Sequence, residues 1–496
     1  MFKKILVANR GEIAARIIRA CRDMNIYAVA LYDATDRGSL HVRLADECIE
    51  LTSDLGYMDG PAVLQCALDA GADAIHPGYG FLAEDSSFIR ACEDEGITFI
   101  GPPSHIVETT RNKIEVMRRV RAAGFDTPVH SATSFGPEDL DLLKAEADSL
   151  GYPLVIKSYS GGRGRGAQFV YNSQALEQAV SYAHAEAQML FGSERLYLER
   201  IILPANFIEV QIVGDNYGTL LHLGEREGSV QRNNQKLIAE SPAPCLNPAQ
   251  REQVRQMALD IARMFDLSNV GAVEFLVDDE GRFFFTELKA RIQVEHPVTE
   301  MVSDLDLVRE QIELASGKRI TTRQEDVTLR GWAMQCRLNA EDPWNNYLPS
   351  PGHLRRFRLP GGPNIRVETY AYSGCDVPVR YDPLLAKLIV WAENRDECVR
   401  RMRRVLQDFS ISGIRTNLPL FQRILDSPEF ETGNYNTLFP LNRMIDRPET
   451  VDEDALRDLA VAAAVAYMAR YQSFQPTVPD RMRTGWHRTS RQLPDW

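Results

Sequence analysis

No apolar run in this 496-residue chain is long enough to cross a bilayer. The longest, Leu459–Ala469, falls well short of the roughly 20 residues a spanning helix needs. A basic surplus is also missing. The formal net charge is −13, which argues against a nucleic-acid partner, because phosphate neutralisation draws on Lys and Arg. The eight cysteines are scattered and form no CxxC pair, which disfavours a zinc ribbon or a thioredoxin-like site. GxSxG and HExxH are absent, and with them two large hydrolase classes. None of the thirteen methionines precedes a lysine, so a carrier tethered at a Met-Lys site is expected on another chain. Met1-Phe-Lys-Lys-Ile5 runs straight into a strand-like segment. No leader is therefore expected, and a cytoplasmic location with reduced thiols is the default.

Apolar content of 44% and charged content of 25% describe an ordinary globular protein. The length suggests about three domains. Ile5–Ala8 reads as a buried strand, Glu12–Met24 as an amphipathic helix with apolar residues at 13, 17, 18 and 21, and Ile26–Tyr32 as a second strand. That is a βαβ unit, hence a parallel sheet. The pattern repeats at Ala74–Ile75 and Thr98–Ile100, so residues 1–110 form one α/β domain. The turn Asn9-Arg10-Gly11 lacks GxGxxG spacing, which disfavours a nicotinamide dinucleotide. Residues 111–310 alternate helices and β segments in an α+β pattern, and 329–440 form another mixed region. The segment 445–496 holds one predicted helix, Asp454–Arg470.

Four motifs carry chemistry. Tyr152-Pro-Leu-Val-Ile-Lys157 leads into Ser160-Gly-Gly-Arg-Gly-Arg-Gly166. Its glycines allow backbone N–H groups to wrap a phosphate, with Lys157 and Arg165 adding charge. A flexible surface hairpin is the other reading. The spacing is not that of a Walker loop. Next, Gly271-Ala-Val-Glu274 and Arg282-Phe-Phe-Phe-Thr-Glu287 flank a turn and predict a β-hairpin. With Val277 opposite Arg282, Glu274 pairs with Phe285, and Glu287 becomes its diagonal neighbour on one face. Mg²⁺ bridging nucleotide phosphates would reconcile the two carboxylates. So would a cationic side chain, and Lys289 shares that face by parity.

Third, Arg291, Gln293 and Glu295 alternate. In an extended segment they point one way, which suits a small planar oxyanion beside a base; a solvated strand face is the alternative. His296, ahead of Pro297, reads as structural. Fourth, Gln231-Arg-Asn-Asn-Gln-Lys236 predicts a polar loop that, near Arg337, would make a basic pocket in an acidic protein.

Taken together, the strings resemble biotin carboxylase. They are Ile5-Leu-Val-Ala-Asn-Arg-Gly-Glu-Ile-Ala14, His76-Pro-Gly-Tyr-Gly-Phe-Leu82, Ser229-Val-Gln-Arg, Gln235-Lys236-Leu and Arg291-Ile-Gln-Val-Glu-His-Pro-Val-Thr-Glu300. Arg337-Leu-Asn-Ala-Glu-Asp-Pro343 and Tyr381-Asp with Lys387-Leu-Ile add to them, so the resemblance covers residues 1–445. It implies an ATP-grasp fold of α/β and α+β parts. A Rossmann-like pre-ATP-grasp domain is followed by an ATP-grasp domain with a mobile lid at about 130–202, then a mixed C-terminal domain.

The resemblance also implies an activity. MgATP (or MnATP) would phosphorylate bicarbonate to carboxyphosphate, and CO₂ would pass to biotin on a separate carrier protein. Glu295 would be the base. Lys236, Arg291, Gln293 and the Val294 amide would hold bicarbonate, Arg337 the biotin enolate, and Tyr79 would line that pocket. Glu274 and Glu287 would bind metal. Lys113, Lys157, Gly161, Gly162, Gly164, Arg165, Gly166, Glu199, Arg200, Ile202, Gln231, Asn234 and Leu276 would contact ATP. Implied partners are a biotin carboxyl carrier protein, carboxyltransferase subunits of an acyl-CoA or 2-oxoacid carboxylase, and a second subunit in a dimer.

Departures concentrate on the nucleotide side. Lys289 stands where the family has an Asn that helps hold a second metal. Phe207 and Asn234 replace histidines, Ser160 and Arg163 replace glycines, and Asn112 replaces an Asp. They open a second reading, a degenerate paralogue with a structural or regulatory role. The segment 445–496 resembles the start of the linking region of longer acyl-CoA carboxylase chains. Its helix, with Trp486 and Trp496, would either dock a partner or pack on its own domain.

Overall fold

The computed structural model describes residues 1–159, 167–191, 193–445 and 453–473. Met1–Ile445 forms one unit and Asp446–Trp496 another. The first unit opens with five parallel strands: β1 (Lys4–Val7), β2 (Tyr27–Tyr32), β3 (Glu47–Glu50), β4 (Ala74–His76) and β5 (Thr98–Phe99). They lie in the order β3-β2-β1-β4-β5. Ile5, Leu6 and Val7 in the central strand are all fully buried, as expected for a parallel strand covered on both faces. Helix α1 (Gly11–Asp23) buries Ile13, Ile17, Ile18 and Cys21, the stripe its periodicity predicts. Gly11 has φ +68, which lets the chain turn sharply from strand into helix.

A three-stranded antiparallel sheet follows, ordered β7-β6-β8, from β6 (Leu154–Ser158), β7 (Gln168–Val170) and β8 (Leu196–Arg200). Helices Leu140–Leu150 and Ser173–Phe191 accompany it. This part has a core of its own, including Leu143, Leu154, Ile156, Leu176, Val180 and Leu198.

The third sheet has eight strands, all antiparallel. Its elements are β9 (Ala205–Gly214), β10 (Leu220–Glu227), β13 (Ile238–Ser241), β14 (Asn269–Asp278), β15 (Phe283–Lys289) and β16 (Trp332–Asn339), with strands Leu384–Ala392 and Ile365–Thr369. The order is β15-β14-β9-β10-β13-β16, then Leu384–Ala392 and Ile365–Thr369. Pairing of β13 with β16, Ile238 opposite Cys336, joins the region before 310 to the region after 329.

Two places differ from the expected local structure. The predicted loop at Gln231–Lys236 is a tight hairpin of β11 (Gln231–Arg232) and β12 (Gln235–Lys236). Its turn residues Asn233 and Asn234 take φ +47 and +60, conformations that asparagine tolerates well. The segment Arg291–Glu295 is not extended: it turns into helix His296–Ser303, with Pro297 in the first turn.

Gly271 in β14 lies beside the carbonyl of Lys289. A Cβ there would stand 2.6 Å from that backbone oxygen. Gly271→Ala is expected to push β15 aside and cost about 1–3 kcal/mol, read as a lower urea midpoint.

In the second unit a helix spans Glu453–Ser473. Its apolar side chains Leu459, Val461, Val465, Tyr467 and Met468 are exposed, Leu459 at 70%. Trp486 and Trp496 lie outside the described residues. Among the described residues no helix is long and apolar enough to cross a membrane.

Candidate active site

A cleft of about 890 Å³ collects side chains from the three-stranded sheet, the eight-stranded sheet, the 231–236 hairpin and segments that follow strands of the parallel sheet. Tyr79 comes from the segment after β4, and Lys113 opens helix Lys113–Ala122. Asn112 caps that helix by accepting the Glu115 N–H at 3.1 Å, a bond that a short polar side chain at this position supplies. Lys157, Glu199, Arg200 and Ile202 line the cleft from the three-stranded part. Gln231, Asn234 and Lys236 come from the hairpin, Glu274, Leu276 and Glu287 from β14 and β15, and Arg291, Gln293, Val294, Glu295 and Arg337 complete the wall. Gly161, Gly162, Gly164, Arg165 and Gly166, with Ser160 and Arg163, lie outside the described residues.

At one end Lys157 Nζ donates to Glu199 Oε1 at 2.6 Å. Arg200 turns outward and donates to the Leu150 carbonyl at 3.0 Å. Ile202 and Leu276 give this end an apolar wall.

The carboxylate pair departs from the predicted register. Val277 faces Phe283 rather than Arg282, and Thr286 is an extra residue, a β-bulge, so Glu274 sits directly opposite Glu287. Directly opposed carboxylates destabilise a sheet unless cations meet them. Lys289 Nζ lies 2.7 Å from Glu287 Oε2 and Lys113 Nζ 3.6 Å from it. Burial opposes ionisation of Glu287, but these two ammoniums hold its carboxyl well below the usual range. Glu274 accepts from Gln293 Nε2 at 2.7 Å and has Lys236 at 3.6 Å. Burial still pushes its carboxyl up, against the pull of Lys236 and Lys289.

The other end is built on a buried polar network. Arg226 is fully buried. It donates to Glu209 Oε1 at 2.7 Å, to Gln211 and Thr299 at 2.7 Å each, and to Gln293 Oε1 at 2.6 Å. Gln293 is thereby oriented and passes its amide protons to Glu274 and, at 3.0 Å, to Glu209. Lys236 contacts Glu209. Burial works against the Lys236 charge, but Glu209, Glu295 and Glu274 raise its pKa above the usual lysine value.

Glu295 is the N-cap residue of helix His296–Ser303, yet its side chain makes no capping bond. Instead it lies 4.0 Å from Lys236 Nζ and 3.7 Å from Arg337 NH1. Arg337 Nε is buried without a hydrogen-bond partner among the described residues. Arg291 Nε is 3.2 Å from Glu84. His296 Nδ1 donates to the Gln293 carbonyl, 2.8 Å away, and the ring is fully buried, which fits a structural role.

Sequence reading missed several groups here. Glu209, Gln211 and Arg226 are charged or amide side chains inside buried strands, and their alternation with Ile208, Val210 and Ile212 was the available signal. Lys387 and Glu12 form a buried pair at 3.0 Å. Tyr79 donates its hydroxyl to Glu12, and Lys387 Nζ is 3.4 Å from the Val294 carbonyl. One ion pair thus holds both the Tyr79 ring and the Val294 peptide. Phe207 presents its ring to Lys236 Nζ, 4.7 Å from the centroid, a cation–π contact.

Comparison with known proteins decides the family. Residues 1–107 match the model "Biotin carboxylase, N-terminal domain", and 335–440 match "Biotin carboxylase C-terminal domain". Between them, 114–323 match "Carbamoyl-phosphate synthase L chain, ATP binding domain". Biotin carboxylase 1 of Bacillus subtilis is 42% identical over 443 residues, 88% of this chain and 98% of that protein. The chain belongs to the biotin carboxylase family. The 2-oxoglutarate carboxylase small subunit of Hydrogenobacter thermophilus is 40% identical over 475 residues, 95% of this chain and 99% of that protein. The biotin carboxylase domain dimer of the same enzyme, solved with MgADP, ADP and bicarbonate, superposes with a TM-score of 0.87 at 41% identity. It covers 90% of this chain and 100% of its own. Rhizobium etli pyruvate carboxylase, a T882A variant with acetyl coenzyme A, gives 0.87 at 38% identity, over 91% of this chain and 41% of its own.

Phe207 also bears on a titratable neighbour. The Phe207 N–H donates to Ser229 Oγ at 2.9 Å, and Ser229 Oγ donates to Glu227 at 2.7 Å. Burial pushes the Glu227 carboxyl up to about 7, against hydrogen bonds from Asn206 and Ser229. A folded-state value above the unfolded one gives stability that is present in acid and lost as pH rises through 7. Glu227→Gln removes this loss. Its stability relative to the parent is expected to improve by roughly 1 kcal/mol between pH 6 and pH 8, measured as urea midpoints at both.

Proposed function

We propose that this chain is the biotin carboxylase subunit of a biotin-dependent acyl-CoA or 2-oxoacid carboxylase. It converts ATP and bicarbonate to ADP and carboxyphosphate, and carboxylates biotin on a separate carrier protein. The observation that carries the reading is the position of Glu295. It is buried, unused as a cap, and lines the cleft with two cations, Lys236 and Arg337, at 4.0 and 3.7 Å from its carboxylate.

Glu295 takes the bicarbonate proton. Lys236, Arg291, Gln293 and the Val294 N–H hold the resulting oxyanion facing the ATP γ-phosphate. The nucleophilic oxygen attacks phosphorus, ADP leaves, and the carboxyphosphate decomposes to CO₂ and phosphate. The phosphate so released takes the proton from the biotin ring nitrogen, Arg337 stabilises the negative oxygen of the resulting enolate, the nitrogen takes CO₂, and Tyr79 walls that pocket. Lys113, Lys157, Glu199, Ile202, Gln231, Asn234 and Leu276 cradle the nucleotide, with Arg200 lining its edge. Glu274 and Glu287 suit one Mg²⁺: they are hard oxygen donors facing each other across two strands, and phosphate oxygens complete its shell. Mg²⁺ bound there neutralises phosphate charge and polarises the transferred phosphoryl group. A carrier protein and carboxyltransferase subunits are the implied partners, a dimer the implied assembly, and the cytoplasm the implied compartment.

The test is phosphate release from ATP by the purified chain with Mg²⁺ and bicarbonate, with and without free biotin. Biotin-stimulated, bicarbonate-dependent turnover supports the proposal. A folded chain that stays silent even beside its carrier protein favours the structural-subunit reading instead.

A further inference from the structure

Three ammonium groups meet the opposed carboxylates of β14 and β15. Lys289 is 2.7 Å and Lys113 3.6 Å from Glu287 Oε2, and Lys236 is 3.6 Å from Glu274 Oε1. Two carboxylates facing three cations leave no excess negative charge. A divalent ion bound to that Glu287 oxygen would have to stand about 2.1 Å from it. The oxygen already receives two ammoniums, and like charges at such spacing repel strongly in a buried site.

Lys289 is held inside the cleft wall. Its side chain is only 7% exposed, and its strand position opposite Ala272 fixes it on the Glu287 face. Its ammonium lines the cleft and carries three donors, of which Glu287 engages one. The other two are available to phosphate oxygens.

We propose that the Lys289 ammonium is a resident cation of the phosphate end of the cleft, taking the electrostatic place of a second divalent ion. The nucleotide is then bound with one Mg²⁺ rather than two, at Glu274, the other Glu287 oxygen and the phosphates, and Lys289 contacts the terminal phosphoryl group. This inference rests on the cleft being a nucleotide site.

The experiment counts Mn²⁺ by electron paramagnetic resonance on the full chain at saturating β,γ-imido ATP. One Mn²⁺ per chain is expected for the parent. Lys289→Asn, which supplies a neutral oxygen donor, is expected to bind two, with the dipolar broadening of neighbouring ions. Lys289→Met is expected to bind one, with the analogue held at least tenfold more weakly. Two Mn²⁺ in the parent overturn the proposal, as does a Lys289→Met variant with unchanged analogue affinity. If a variant fails to fold, the parent count decides. A folded parent that binds no analogue overturns the nucleotide reading itself, an outcome distinct from binding the analogue with two ions.

Discussion

Glu295→Gln is expected to lower bicarbonate-dependent ATP turnover by roughly 10²–10⁴-fold, the usual worth of a positioned general base, while the affinity for ATP is unchanged. The substitution keeps shape and can still touch Lys236 and Arg337, 4.0 and 3.7 Å from the native carboxylate. What it removes is the proton acceptor. Because Glu295 does not cap its helix, the loss falls on kcat rather than on folding, and an unchanged urea midpoint separates the two. Turnover within an order of magnitude of the parent would remove Glu295 from the mechanism.

Arg226→Met is expected to be the most destabilising single change in the site. Removing it leaves Glu209 with one of its two cationic partners and deprives Gln211, Thr299 and Gln293 of a donor. Breaking a buried pair from one side costs about 3–5 kcal/mol, visible as a large fall in the urea midpoint. Gln293 also loses the bond that orients it, so a weaker response to bicarbonate is expected in whatever protein remains folded. Combining Arg226→Met with Glu209→Gln should cost less than the two changes added together, since the shared partner makes them non-additive. A loss below about 1 kcal/mol for the single variant would mean that the network is not holding the floor of the cleft.

The parallel sheet and α1 were legible because apolar spacing marks a buried strand and an amphipathic helix directly. Ile5, Leu6 and Val7 on one side and Ile13, Ile17 and Ile18 on the other sit where that spacing puts them. The carboxylate pair was legible as a pair but not in its register. The turn sets Val277 opposite Phe283 rather than Arg282, and the bulge at Thr286, which carries no glycine or other mark, adds a second residue, so counting outward misplaced Glu287 by two residues. Arg291, Gln293 and Glu295 were found, but their alternation imitated a strand. Pro297, favoured in the first turn of a helix, was the sign that the chain was about to turn. For Arg226 and Glu209 alternation marked polar positions in buried strands but not their partners, and nothing local marked the Glu12–Lys387 pair. Each joins residues far apart in the chain, and burial with partners is a property of the assembled sheet rather than of any local spacing. Lys289 shows both sides: parity put it on the Glu287 face, and the structure shows it in contact with that carboxylate.

The central claim is that bicarbonate itself attacks the γ-phosphate of ATP in this cleft. The most direct measurement supplies ¹⁸O-labelled bicarbonate with MgATP and biotin, and examines the released phosphate by mass spectrometry. One bicarbonate oxygen in each phosphate is the predicted result, because the oxygen that attacks phosphorus stays with it when carboxyphosphate breaks down. Phosphate released at a biotin-stimulated rate but carrying only solvent oxygen would contradict the account.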